Sequence, residues 1–154
     1  MRITLLTIGK IKKGPERDLV DDYLSRARKL GRQLGVRDVQ EVELEAGGRQ
    51  ADECAALLEK IPAGATILLL DERGQNWTST AFSDHLEKLK DQGCPDLVFM
   101  IGGADGFTDE VKTQYRDKIC FGSMTWPHKL VRVLAAEQIY RALSLMAGTP
   151  YHRE

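Results

Sequence analysis

Two unbroken apolar runs, Thr66–Leu70 (TILLL) and Leu97–Ile101 (LVFMI), restrict the choice of fold more than anything else in this chain. A strand that meets water on one face alternates apolar and polar residues. A strand apolar at every position is covered on both faces, as in parallel sheets. Around these two runs the pattern alternates between strand and helix. Arg2–Ile8 is a third apolar run and ends at Gly9. Pro15 stands where a first helical turn tolerates proline; Leu19, Val20, Tyr23, Leu24, Ala27 and Leu30 follow at helical spacing, closed by Gly31 and Gly35. Val36, Val39, Val42 and Leu44 predict a half-exposed strand, and Gly47-Gly48 a turn before a helix over Ala51–Ile61. Ser79 is placed to cap a helix over Thr80–Lys90 whose inward face is Phe82, Leu86 and Leu89. Thr108 is placed to cap a helix through Tyr115, Ile119–Phe121 is a last short strand, and Leu130–Ala147 is the closing helix. The alternation predicts one α/β domain over residues 1–154, with a largely parallel sheet and helices on both faces.

Composition narrows the setting. No apolar run approaches the ~20 residues of a membrane span, and Met1–Gly9 lacks a small-residue cleavage site, so the expectation is a cytoplasmic protein away from membranes. Cys54, Cys94 and Cys120 are odd in number and widely spaced, which fits neither a disulfide framework nor a zinc site, and no metal is expected. The formal net charge is −1, but its distribution is uneven. Residues 1–40 carry ten Lys/Arg against five Asp/Glu, residues 41–117 seven against sixteen, and residues 118–154 five against two. If the fold brings both chain ends to one face, that face is basic and suits RNA phosphates. The plainer alternative is that the charges solvate separate helices.

Three predicted strands end in suggestive loops: Asp71–Gly74 after TILLL, Gly102-Gly103 after LVFMI, and Gly122-Ser123 after Phe121. In open α/β sheets ligands sit beyond the carboxyl ends of strands, so all three loops are candidates for one crevice. Neither a G-x-G-x-x-G fingerprint nor a phosphate loop is present. The Gly102, Gly103, Gly106 cluster reads equally as a tight turn, with Asp105 a turn residue. Trp126-Pro127 enforces extended backbone just before a helix begins. Such a loop can offer backbone groups to an adenine edge between Met124 and Trp126; alternatively Trp126 plugs the core. In the closing helix Val131, Ala135, Ile139, Ala142 and Met146 form one apolar stripe, and Val133, Ala136, Tyr140, Leu143 and Ala147 a second. One stripe suffices to face a core, so two imply a partner surface, most simply a second copy, unless the helix is central. Arg141 is a candidate to orient a base or phosphate, or else pairs with Glu137 four residues earlier. His85 is expected to face solvent and His128 to support its loop. The terminal Tyr151-His152-Arg153-Glu154 ordinarily would fray, yet it combines a stacking ring, an imidazole and a guanidinium suited to an RNA-modifying site.

The motifs LLLDERG, FMIGGADGF and SMTWPHKLVRVLAAEQIYRALSLMAGTPYHRE resemble the bacterial ribosomal large-subunit RNA methyltransferase H family of the SPOUT superfamily. The likeness spans nearly the whole chain, loosely over residues 10–60. It implies a trefoil-knotted C-terminal region, a homodimer through the closing helix, and methylation of N3 of a pseudouridine (position 1915 in the family) in 23S rRNA of the assembled ribosome. It further implies S-adenosyl-L-methionine as methyl donor, held by Leu70, Gly103, Gly122, Ser123, Met124, Thr125, Trp126 and Pro127, with no DNA partner. The matching chemistry assigns His152 to proton removal, Arg141 or Arg153 to the developing negative charge, and Tyr151 to positioning the base. Lys10, Lys12, Lys13, Arg26, Arg28 and Lys129 are expected to dock on the rRNA. Two alternatives stay open: a knotted methyltransferase acting on transfer RNA or another rRNA base, and a noncatalytic ribosome-binding α/β protein.

Overall fold

The computed structural model describes residues 1–153. Its strands are β1 (Arg2–Ile8), β2 (Asp38–Leu44), β3 (Thr66–Asn76), β4 (Asp96–Ile101) and β5 (Lys118–Cys120). Its helices are α1 (Pro15–Gln33), α2 (Gln50–Glu59), α3 (Ser79–Asp91), α4 (Asp109–Gln114) and α5 (His128–Met146). The strands form one sheet in the order β2-β1-β4-β3-β5, and every pairing is parallel.

The pleat sorts the central strands into two cores. Ile3 and Leu5 of β1, Leu97, Phe99 and Ile101 of β4, and Leu68 of β3 point to the face covered by α1, α3 and α5. Leu6, Ile8, Val98, Met100, Ile67 and Leu69 point to the other, where α2 contributes Cys54 and Leu57 and α4 contributes Val111. Two-sided burial is therefore why the central strands are apolar throughout. No helix among the described residues is long and apolar enough to cross a membrane.

Several elements differ from their sequence-based expectations, each for a physical reason. β3 does not stop at Leu70. It breaks register between Leu70 and Gln75 and then pairs with β5 again, Gln75 opposite Ile119 and Asn76 opposite Cys120. Gly31 does not end α1 but lies within it, under Val36 and Leu143; the turn is made at Gly35, whose φ is +82°. Thr78, not Ser79, caps α3 by accepting from Ala81 N at 3.0 Å. Ser79 instead donates to Gln138 Oε1 on α5 at 2.8 Å. His85 is half-buried rather than solvent-facing, packed at a tilt against Trp77 with ring centroids 5.0 Å apart.

The two apolar stripes of α5 also find their partners within one chain. On one side Tyr140 meets Tyr23 of α1 at 6.2 Å, and on the other Ser83 of α3 donates to Ala142 O at 2.9 Å. Ala135, Ala136, Ala142 and Leu143 are fully covered. The small size of the three alanines lets both neighbouring helices approach, so α5 is a central core helix and its two-sided apolarity alone does not require a second copy.

Candidate functional site

At the carboxyl edge of β3, β4 and β5 lies a cavity of about 280 Å³. Leu70 supplies one wall, Gly103 a second, and Gly122, Met124, Thr125 and Trp126 a third. This volume is at the small end of ligand pockets, which span roughly 300–1,000 Å³. The loop after β4 is a true turn: Gly106 N donates to Gly103 O at 3.0 Å and Gly106 has φ +69°. Gln50 of α2 clamps that turn through Asp105 O at 2.7 Å and Phe107 O at 3.2 Å. Gly103 also permits a close approach, because a Cβ there would collide with the Glu53 carboxylate and stand 3.2 Å from Ile8 Cγ2. The tight-turn reading therefore holds at Gly106, while Gly103 is required by the Glu53 and Ile8 side chains packed against it.

The loop before α5 turns at Gly122, φ +93°, and folds back so that Trp126 Nε1 donates to Phe121 O at 3.1 Å. Trp126 is 43% exposed and Met124 76%, so Trp126 is no core plug and the two form an open apolar rim. Ser123 and Pro127 do not line the cavity; Ser123 is exposed and Pro127 occupies the N-cap of α5. His128 does line it and meets Ile8 O through Nε2 at 3.1 Å, in the supporting position expected of it. Asp71, also at the wall, is taken up by structure: Lys112 pairs with it at 3.2 Å and Arg73 N donates to its Oδ1 at 2.9 Å.

Arg132, a charged residue within the apolar closing helix, is not among the site candidates expected from sequence. It is fully buried one turn beyond His128. Its guanidinium donates to Ile8 O at 3.2 Å, Gly9 O at 2.8 Å and Glu43 Oε2 at 2.5 Å, and Arg17 joins the same cluster through Glu41 and Glu43. Burial pushes the Arg132 value down against the pull of both glutamates, and pushes Glu41 up against the pull of Arg17. Breaking such a cluster strands a buried charge, at a cost of about 3–5 kcal/mol. The cluster thus fixes the end of β1 beneath the cavity. Its glutamates lie 89 and 91 residues away in sequence, beyond the reach of local pattern.

The remaining site candidates gather at the far end of α5. Arg141 donates through Nε to Glu137 Oε1 at 2.9 Å and through Nη1 to His152 Nδ1 at 3.1 Å. Tyr151 donates to the same Glu137 oxygen at 3.0 Å, packs edge-on against Tyr140 at 4.6 Å, and lies under the Arg141 guanidinium at 4.9 Å. Burial, then Tyr23 and Glu137, hold the Tyr151 phenol well above the usual tyrosine range. The Glu137 hydrogen bond holds Arg141 above its usual value. Tyr151 and His152 are half-buried against the helix, Arg153 is exposed, and Glu154 lies outside the described residues. Thirteen residues of helix separate His128 from Arg141, about 20 Å at ~1.5 Å per residue. Within one chain the structure therefore assembles two clusters, the cavity and the tail, and does not bring them together.

The family model described as "Predicted SPOUT methyltransferase" matches residues 1–152. A protein of Hyphomonas neptunium carrying the name "Ribosomal RNA large subunit methyltransferase H" is 48% identical over 153 residues, 99% of each chain. Proteins of the same name from Dinoroseobacter shibae and Rhodopseudomonas palustris are 48% and 46% identical, again over 99% of each chain. On this full-length match the chain belongs to the SPOUT methyltransferases, and within them to the ribosomal RNA large subunit methyltransferase H family.

Proposed function

We propose that this chain methylates N3 of a pseudouridine in 23S rRNA of the assembled ribosome, position 1915 in the family, with S-adenosylmethionine as donor. One observation carries the proposal: loops from three strand ends converge on a single cavity lined by Gly102, Gly103, Gly106 and Gly122. A small ligand with an apolar and a polar end suits this mixed lining. Leu70, Gly103, Gly122, Met124, Thr125 and Trp126 would hold the donor, with Ser123 and Pro127 shaping the loop from outside. When bound, the donor supplies a methyl group already activated by its sulfonium, which needs no metal.

The chain's own task is to position N3 and to manage its proton. N3 is a weakly acidic imide nitrogen; its proton passes to solvent water, a methyl takes its place, and negative charge passes through the ring on the way. Arg141 and Arg153 stabilise that charge, Tyr151 positions the base, and His152 meets it directly. With its phenol O–H already donating to Glu137, Tyr151 offers the base its ring as a contact surface.

The distance between cavity and tail leads us to propose a homodimer in which each tail serves the partner's cavity. Leu19, Trp126 and Leu130 are each 40% or more exposed, leaving apolar surface for such a contact. The proposed trefoil knot involves the stretch where β5 pairs with β3 on both sides of its register break. RNA docking falls to Lys12, Lys13 and Lys129, which are exposed and take part in none of the described ion pairs. Lys10, Arg26 and Arg28, by contrast, pair with Glu45, Asp22 and Asp38.

The test is to incubate purified protein with methyl-labelled donor and ribosomes lacking the modification, then to map the label by mass. Label at N3 of one 23S pseudouridine is expected. Label on transfer RNA or another base, or none at all, contradicts the proposal.

A further inference from the structure

We propose that Glu137, acting through Arg141, holds His152 as the neutral imidazole with its proton on Nε2, so that His152 offers the RNA base a hydrogen-bond donor rather than a base. The inference rests on the methyl-transfer reading and assigns a different role to His152 from the proton acceptor expected from sequence.

The geometry admits one proton arrangement. A guanidinium has only donors and keeps its charge throughout the working pH range. The 3.1 Å contact between Arg141 Nη1 and His152 Nδ1 is therefore a bond that Nδ1 accepts. A neutral imidazole accepting at Nδ1 carries its proton on Nε2, since the partner of one nitrogen sets the state of the other. The nitrogen left for a substrate is then N–H.

Glu137 keeps Arg141 in that position. Arg141 reaches Glu137 Oε1 through both Nε and Nη2, which leaves Nη1 for the histidine. Tyr151 closes on the same oxygen, while Gln138 Nε2 donates to Oε2 at 2.8 Å and is itself held by Ser79 of α3. An exposed pair four residues apart on a helix is worth only about 0.3–0.5 kcal/mol and orders little. Here the Glu137 and Arg141 side chains are 13% and 23% exposed, and both glutamate oxygens are engaged, so the pair is fixed. Tyr23 and Glu137 are the titratable groups that act on both Arg141 and Tyr151. Glu137 touches no reacting atom in this scheme and is a positioning residue.

Two measurements decide the matter. In the free protein with ¹⁵N-labelled histidine, the His152 resonances should show an unprotonated Nδ1 and a protonated Nε2, and Glu137→Ala should abolish that preference. A proton on Nδ1, or no response to Glu137→Ala, overturns the inference. In single-turnover methylation of ribosomes, His152→Gln, which keeps a donor but offers no base, should stay within about tenfold of wild type. His152→Ala should lose about a hundredfold, the low end for removing one hydrogen-bond donor from developing negative charge. Equal loss in both variants overturns the donor role. If wild type itself transfers no label, the methyl-transfer reading fails, and the resonance pattern still reports on the tautomer.

Discussion

His85 packs at a tilt against Trp77, and its burial holds the ring below the ordinary histidine value of 6.5. As pH falls, the unfolded chain takes up this proton before the folded one, so stability is present above about pH 6.5 and is lost as pH drops from there to the folded-state value. We predict that the melting temperature declines more steeply below that point for wild type than for His85→Phe; parallel slopes would contradict the assignment. Neighbours define the other site residues in the same way. Gly103 and Gly122 were readable because each follows a short apolar run, where a loop must bend, and Trp126 because it precedes Pro127 and is held extended. Arg132 was not, since its carboxylate partners sit on a distant strand. His152 was visible as an imidazole, but its tautomer depends on an arginine eleven residues earlier in the chain.

β3 carries the largest departure from local pattern. Its apolar run ends at Leu70, which is all that periodicity can report, yet the strand resumes at Gln75 and pairs with β5 again. Gly74 makes this possible: a Cβ there would stand 2.6 Å from both the nitrogen and the oxygen of Ile119, backbone atoms that cannot swing aside. Gly74→Ala should therefore destabilise the fold by more than about 3 kcal/mol, measured as a lower urea midpoint. A loss below about 1 kcal/mol would mean that the β3–β5 contact yields easily. Helix α5 teaches the complementary lesson. Its extent was evident within two residues at its N-terminus, but two apolar stripes cannot say whether the second cover comes from the same chain. Here α1 and α3 supply it.

For the molecule as a whole, parallel order and two-faced cover followed from the apolar runs, and β1 and α1 from the first part of the chain do share a face with α5. Much of the positive charge there is nevertheless paired, and Lys12, Lys13 and Lys129 stay outside the ion pairs of the described residues. What one chain leaves apart is the cavity and the tail, about 20 Å along α5. Subunit mixing examines this. Trp126→Ala damages the cavity and His152→Ala the tail, so each should be nearly inactive alone. If the two sites meet only across a dimer, random mixing in equal amounts creates heterodimers with one intact pair, and label transfer to 23S rRNA should recover to about one quarter of wild type. If cavity and tail serve each other within a single chain, the mixture will be no more active than its components.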